Sequence, residues 1–464
     1  MKLLLINPQN KHRRGFSLSV TSRYPPLSLG IIAALTPEHW DVELLDENFD
    51  QFEGAKDKNA DLVGITAFTS NVYRAYEIAN YYVKQGVPVV LGGIHATMMP
   101  EEAARHVDTV FKGEAEDMWP QVIKDFENGD LKSIYEGGQP SLDNLPVARH
   151  DLFHPDYIFS SIQTTRGCPY KCDFCSVHAF NGTKHRLRPI NNILDEIEQL
   201  DEDKLLGIID DNFYGYSTKS KNHTYELLEG MIARGIKKDW FIQASFNIAD
   251  DPKFLKLAAQ AGCREVLIGV ESDNPDQLKQ ANKALNARIK PEKFKKKFKR
   301  IQKHGIAVLG AFIFGLDGDT QADLFRRLRF IQKSGVDIVQ ATVLTPYPGT
   351  ALYDRMKAAN RILRNNFPED WQHYHAEETV YYPDKMSPET LEHTMYIIWH
   401  KLYNKTTMRM RFIKSLMRLK KYTPAFWSYY GNWQYRRIVF EKGGYNPDIH
   451  PDKQKRIIHK PNHK

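Results

Sequence analysis

One short run restricts this chain more than any other: Arg166-Gly167-Cys168-Pro169-Tyr170-Lys171-Cys172-Asp173-Phe174-Cys175. Three of the four cysteines fall within it, spaced C-x3-C-x2-C, and the fourth, Cys263, stands alone. Three thiolates are one short of the four that complete most iron–sulfur clusters and structural zinc sites. A cluster held by three leaves one iron open, and an open metal position is where chemistry happens. Two other readings exist: a zinc knuckle completed by His178 or His185, and three unrelated cysteines. Chance grouping explains poorly why the rest of a 464-residue chain holds a single cysteine. The strand-like residues 158–163 just ahead of the motif favour the cluster over the knuckle.

At 464 residues the chain has room for two or three domains with ample core. Its 42% hydrophobic and 26% charged residues are ordinary for a soluble globular protein. A net charge of +7 is mild for this length and does not by itself imply nucleic acid. Grouped free thiols argue against a disulfide scaffold and for a reducing cytosol. The apolar run in residues 1–8 is too short for a signal peptide and reads as a buried first strand. No stretch approaches the roughly 18 apolar residues of a spanning helix. The longest candidate, 307–316, contains two glycines and fits a buried strand.

Short Val, Leu and Ile runs recur at 2–6, 41–45, 61–65, 87–91 and 107–111, with helical spacing at 27–35 and 71–85. This alternation predicts a doubly wound α/β domain over residues 1–140. Ligands bind such sheets outside the carboxyl ends of the strands. Those ends carry Asn7-Pro8, Asp46-Glu47-Asn48, Thr66–Ser70, Gly92-Gly93-Ile94-His95-Ala96-Thr97 and Lys112-Gly113-Glu114. Glycines 92 and 93 let a bulky ligand come close to the backbone. Prolines and polar residues mark 141–157 as a linker. Six further strand candidates follow at 158–163, 205–210, 240–245, 265–270, 307–314 and 338–344, separated by helical stretches. Six strand–helix units predict a partial barrel over 158–350, with its reactive face at the strand carboxyl ends.

The cysteine motif, with Phe174 ahead of its last cysteine, resembles the signature of the radical S-adenosylmethionine (radical SAM) superfamily. That resemblance implies a [4Fe–4S] cluster on Cys168, Cys172 and Cys175, whose open iron is chelated by the amino and carboxylate groups of SAM. Reductive cleavage of SAM then gives a 5′-deoxyadenosyl radical, with electrons from a partner such as flavodoxin or ferredoxin. The SAM contacts implied are Phe174, Asp210, Asp211 and Asn212 after the second barrel strand, Gln243 and Ser245 after the third, Glu271 after the fourth, and Arg188. The first 140 residues resemble the cobalamin-binding domain that precedes the barrel in one large radical SAM subfamily. The matching residues are Tyr24-Pro25-Pro26-Leu27, Thr66–Ser70, the Gly-Gly-x-His-x-Thr run with Pro100-Glu101 after it, and Gly113-Glu114-Ala115-Glu116. The implied cobalamin contacts are Pro26, Asn48, Thr69, Ser70, Gly92, Gly93, His95, Thr97 and Glu114. The sequence departs from the histidine-ligated cobalamin proteins at Asn48, which stands where they carry the histidine. Either cobalamin binds without a protein imidazole, or the domain keeps the fold without the cofactor.

Beyond 350 the chain is read as a helical, aromatic region to residue 450 and a disordered basic tail over 451–464. The segments 371–375 and 381–383 are aromatic and suited to closing over a site. The basic residues 290–303 carry Phe294, Phe298 and Ile301 at helical spacing, which predicts an amphipathic outer helix rather than a nucleic-acid grip. From His393 to Phe440 there is no Asp or Glu, while ten Lys and Arg residues lie between Lys401 and Arg437. Met408, Phe412, Leu416 and Leu419 trace an apolar stripe beside those charges. The stripe either packs on the barrel, grips an acidic substrate, or rests on an anionic membrane.

The expectation is a cytoplasmic radical SAM enzyme that uses cobalamin to methylate an unactivated carbon of a lipid-like or other small molecule. Peripheral contact with the inner face of the membrane through 393–440 is part of it. A radical SAM cyclase or rearrangement enzyme is the alternative within the superfamily, and a metal-stabilised nucleic-acid-binding protein the alternative outside it.

Overall fold

In the computed structural model, which describes residues 1–10, 24–52 and 59–440, the strands form two parallel sheets and a small ribbon. The first sheet contains Lys2–Asn7 (β1), Asp41–Asp46 (β2), Leu62–Thr66 (β3), Val89–Gly92 (β4), Thr109–Lys112 (β5) and Ile134–Glu136 (β6). Its order is β2-β1-β3-β4-β5-β6, with every pair parallel. Leu3, Leu4, Leu5 and Ile6 are all buried because helices cover both faces. Order reverses between β1 and β3, which opens a crevice at their carboxyl ends. The linker stretch is not loose in this structure. Leu145 and Ala148 bury against Leu27 and Ile31, and the Arg149 amide donates to the Gly30 carbonyl at 3.0 Å.

The barrel comprises Phe159–Ile162 (β7), Thr165–Arg166 (β8), Arg186–Leu187 (β9), Leu205–Ile208 (β10), Trp240–Ala244 (β11), Cys263–Glu271 (β12), Ala307–Phe314 (β13) and Ile338–Val343 (β14). Its main sheet runs β14-β13-β12-β11-β10-β7, all parallel, with β7 and β14 left as edges, so the barrel is partial. β8 and β9 pair antiparallel and bracket the cysteine loop. Cys263 is a buried first residue of β12, two residues earlier than the strand expected from sequence. The helix Pro291–Gln302 buries Phe294, Phe298 and Ile301 and turns its lysines outward.

In the C-terminal region one open reading is decided and one expectation changes. The stripe Met408, Phe412, Leu416 and Leu419 packs inward, with Leu419 clustering against Ala307 and Ala425. An unanticipated outer stripe of Met410, Ile413 and Met417 is exposed instead, beside Arg409, Lys414, Lys420 and Lys421. Three of the ten basic residues are internal: Arg411 donates to Leu402 O and Asn432, Arg418 pairs with Asp337, and Arg436 donates to Tyr403 O. The aromatic segment at 371–375 forms a clamp rather than a lid. Trp371 is fully buried, stacks on Phe367 at 3.7 Å, and donates to Glu102 of the first domain at 2.9 Å. The helix Tyr422–Phe440 crosses the amino ends of β12–β14, where Asn432 donates to Asp337 O at 2.8 Å, and so floors the barrel. Among the described residues no helix is long and apolar enough to cross a membrane. The tail expected to be disordered, 451–464, lies outside the described residues, as does 441–450.

Candidate active site

The two sheets meet at their strand ends through an ion cluster. Glu114, just after β5, receives Arg166 Nη1 at 2.5 Å and Arg186 Nη1 at 2.7 Å, and Arg166 also reaches Glu116 at 2.8 Å. Glu114, Arg166 and Arg186 are all buried. Arg166 opens the cysteine loop, so this cluster fixes that loop against the first domain. Gly167 has φ +94°, and a Cβ there would come within 2.4 Å of the Lys184 carbonyl, so only glycine fits the turn.

Burial raises the pKa values of Cys168, Cys172 and Cys175, to about 11 for Cys168 and about 12 for Cys175; Asp211 adds to this at Cys168, Glu271 and Cys168 at Cys172, and the other two cysteines at Cys175. A bound metal core among them is what would hold all three as thiolates. Among the described residues no three His, Cys, Asp or Glu side chains converge as a single metal ion needs. His185, one proposed fourth zinc ligand, is instead held by Ser220 Oγ and Asn212 O, each at 3.0 Å.

The strand-end residues differ in what they can still do. Asn212 is buried beside Cys168, where its side chain acts to lower that thiol's pKa, and among the described residues its amide meets no oxygen or nitrogen partner. Asp211 accepts from the Gly167 amide and Asn181 Nδ2, each at 2.9 Å, and lines the main cavity with Gln243. Glu271 stands at φ +66° after a bulge and binds Lys283 Nζ at 2.9 Å. Phe174 lies under the same ammonium, 5.9 Å from its ring centre. Ser245 stands just ahead of the 3-10 turn at 246–250, outside the main cavity and with no side-chain bond to the turn. Asp210 is fully buried, accepting from Thr164 N at 2.7 Å and Thr165 Oγ1 at 2.8 Å, which ties β10 to the start of the cysteine loop. Arg188 pairs with Glu196 beneath the sheet, away from that cavity.

A single cavity of about 1330 Å³ joins the strand ends of the first sheet to the barrel lumen. That exceeds the roughly 300–1,000 Å³ of an ordinary one-ligand pocket, so it has room for a large cofactor and a substrate together. Pro26, Asn48, Thr69, Ser70, Gly92, Gly93 and Glu114 line it. A Cβ on Gly92 would meet only Phe111, at 3.8 Å, so the backbone there stays open to a flat ligand. A slot continues beneath the helix Leu27–Leu35, bounded by Leu5, Gly64, Val90 and Trp119. These features fit a corrin with an appended arm. No histidine lines the cavity among the described residues, and Asn48 donates to Tyr157 OH at 3.0 Å. His95 is buried away from it, bridging Thr69 Oγ1 and Glu102 at 3.2 Å each. Thr97 supports the turn, accepting from Gly113 N at 2.9 Å.

Sequence reasoning missed Lys283, whose charge lowers the thiol pKa of all three cysteines. It stands 108 positions after Cys175, in a turn with no motif of its own. The pairing of Arg166 and Arg186 with Glu114 was missed as well, although their place on either side of the cysteine loop is a signal.

Comparisons with known proteins agree with this geometry. The family description "Radical SAM superfamily" matches residues 162–331, and "B12 binding domain" matches residues 13–123. The chain is 30% identical over 458 residues to bacteriochlorophyllide d C-12(1)-methyltransferase of Chlorobaculum tepidum, covering 94% of this chain and 93% of that one. It is 26% identical to hopanoid C-2 methylase of Rhodopseudomonas palustris, covering 75% of this chain and 67% of that one. The solved structure of OxsB, a cobalamin-dependent S-adenosylmethionine radical enzyme, shares the fold with TM-score 0.69 at 15% identity, covering 98% of this chain and 74% of that one. An open parallel barrel behind a three-cysteine loop, capped by a corrin-shaped crevice, thus coincides with a relative matched along nearly its whole length, and the chain belongs to the cobalamin-dependent radical SAM methyltransferases.

Proposed function

We propose that the protein methylates an unactivated carbon of an extended, mainly apolar small molecule, lipid-like or pigment-like, held in the barrel lumen. The observation that carries this is the shared cavity, in which the corrin crevice and the lumen are one space lined mainly by apolar and aromatic residues. The relatives act on molecules of that kind, a bacteriochlorophyllide and a hopanoid by their names.

In this reading Cys168, Cys172 and Cys175 hold the cluster, and Asn212, Asp211, Gln243 and Glu271 surround SAM. Pro26, Asn48, Thr69, Ser70, Gly92 and Gly93 seat the corrin. Bound there, the cluster and SAM supply a carbon-centred radical and the corrin supplies the methyl group. The chain's own part is geometric and electrostatic. Lys283 offsets the negative charge of three thiolates, and Glu271 orients it. The Glu114 cluster keeps the two cofactor sites at a fixed separation, and the aromatic floor closes the far end of the lumen. Residues 1–140 act as the cofactor unit, 158–350 as the catalytic barrel, and the region after 350 as clamp and floor. A small reducing protein such as flavodoxin or ferredoxin supplies the electrons.

Peripheral membrane contact supports delivery of such a substrate. Met417 and Tyr422 are 64% and 75% exposed, next to Lys414, Lys420 and Lys421, and Phe426 both lines the cavity and is 58% exposed. Each such lysine near an anionic surface contributes about 1 kcal/mol. The test is anaerobic reconstitution with iron, sulfide, SAM and hydroxocobalamin. Pigment and lipid extracts are offered in vesicles with and without anionic lipid, and mass analysis follows. A product heavier by one methylene, formed faster from anionic vesicles, is expected. SAM cleavage with no methylated product from any extract would overturn the substrate class, and equal rates from both vesicle types would remove the membrane step.

A further inference from the structure

The lumen face of β12 carries carboxylates at both ends. Glu265, Leu267, Gly269 and Glu271 alternate with the deeply buried Val266, Ile268 and Val270, which face the outer helices. Glu271 at the rim binds Lys283. Glu265, six residues and roughly 20 Å below it, lines the cavity with 9% of its surface accessible. Among the described residues its carboxylate has no hydrogen-bond or ion-pair partner. Its surroundings are aromatic and aliphatic. Phe241 is its register partner on β11, Tyr24 packs on Phe241 at 5.1 Å, and Leu267 and Leu309 continue the wall. Tyr24 reaches in from the first domain and occupies the space left by Gly207, where a Cβ would meet its ring at 3.0 Å. It keeps 37% of its surface open to the cavity.

A buried carboxyl group without a partner is costly, and nothing in the packing of the barrel requires one at this point. We propose that Glu265 anchors the substrate at the closed end of the lumen by a hydrogen bond to a single neutral oxygen function, a hydroxyl or carbonyl, on an otherwise apolar ring or chain. This rests on the reading of the lumen as the substrate site and deepens it: the polar end goes to the floor and the apolar body lies along the wall toward the cysteine loop. The charges facing Glu265 support a neutral rather than an ionic contact. Burial pushes its carboxyl up to about 8, and the negative charge of Asp337 before β14 adds to this. Tyr24 lies within reach of its charge, Tyr435 of the floor helix lies near Tyr24, and Arg418 is already committed to Asp337. The acid form therefore prevails at neutral pH and can donate to an oxygen.

The test uses the full-length holoenzyme and three probes of one shape: 1-pyrenemethanol, 1-methylpyrene and 1-pyrenemethylammonium. Equilibrium binding is followed by pyrene fluorescence in the wild type, Glu265→Gln and Glu265→Leu. The alcohol should bind wild type about five- to tenfold more tightly than the hydrocarbon. Glu265→Gln, which keeps a donor of the same shape, should retain most of that preference, and Glu265→Leu should abolish it. A preference unchanged in Glu265→Leu, no preference in wild type, or tightest binding of the ammonium overturns the anchor. Wild-type cleavage of SAM to 5′-deoxyadenosine is measured separately. Its absence alongside a Glu265-dependent alcohol preference would overturn the radical methylation and leave the anchor standing.

Discussion

The two ends of the barrel lumen solve opposite problems. At the rim, charge is dense and paired: Glu114 with two arginines, Glu271 with Lys283, Asp211 with the Gly167 amide. At the floor, ring contacts dominate, such as Tyr24 on Phe159 at 4.9 Å and Phe159 against Trp427 at 6.1 Å, with Glu265 as the one unpartnered carboxylate found there among the described residues. Paired charge at the rim suits cofactors that carry charge of their own and must sit in fixed positions. An apolar floor suits a substrate that differs from one relative to the next. In the proposed reading, reaction chemistry belongs to one end of the lumen and substrate choice to the other.

The rim should fail completely when its proposed metal ligands are removed. Alanine at Cys168, Cys172 or Cys175 leaves two thiolates, too few to hold a cubane. Each variant should lose the brown absorbance, iron and sulfide content, and all SAM cleavage. Cys263→Ala, buried in β12 behind the lumen, should keep all three readouts and lose only modest stability. Loss of the cluster in Cys263→Ala alone would move the metal site out of the rim and dissolve the contrast.

The same contrast governs what could be read from sequence. Both parallel sheets were legible because apolar runs of four to nine residues alternate with helical spacing, and the cysteine loop was legible because its spacing is rigid. β6 was not seen, because three residues with exposed ends, Ile134–Glu136, carry no run to detect. The β8–β9 ribbon is two residues per strand, too short to show in sequence, and both strands carry an arginine paired with Glu114. On the helix Lys405–Leu419 two apolar stripes compete, and sequence could not tell which one would find Ala307 and Ala425. Strand-end position was a fair guide to polar residues but not to their partners. Asp210 turns to Thr164 and Thr165, while Asn212, two residues on, lies against Cys168. Glu265 was hidden because one acidic residue in a strand reads as ordinary until its neighbours are known.

The ion cluster that joins the rim to the first domain offers a second, smaller break. Glu114→Ala leaves Arg166 without its buried partner and Arg186 without either carboxylate oxygen. Breaking a buried pair of this kind costs about 3–5 kcal/mol, whereas an exposed pair such as Arg149–Asp151 contributes at most about 1 kcal/mol. Denaturant midpoints should therefore fall sharply in Glu114→Ala and barely move in Asp151→Ala. Cobalamin retention through gel filtration should fall in the first variant only. Equal, small shifts would mean the two sheets are held by the Trp371–Glu102 clamp instead, and the rim would be less rigid than its charges imply.

The finest test concerns the floor. The carboxyl of Glu265 is raised from 4.5 to about 8, first by burial and then by Asp337. Below pH 4.5 folded and unfolded chains both hold its proton, so it has no effect on stability there. Between 4.5 and about 8 the folded state keeps a proton that the unfolded chain releases, so this group lowers stability as pH rises across that window. Above it the penalty is constant. Because the carboxyl faces a cavity that admits water, about 1–2 kcal/mol is expected rather than the full linkage value of the shift. Glu265→Gln removes the titration without changing shape, so the variant should match wild type at pH 4.5 and exceed it by that amount at pH 8 in guanidinium unfolding. Other groups titrate alike in both proteins and cancel in the difference. A difference that does not grow with pH would mean that Glu265 is ionised and paired in solution, and the floor would then share the paired-charge character of the rim.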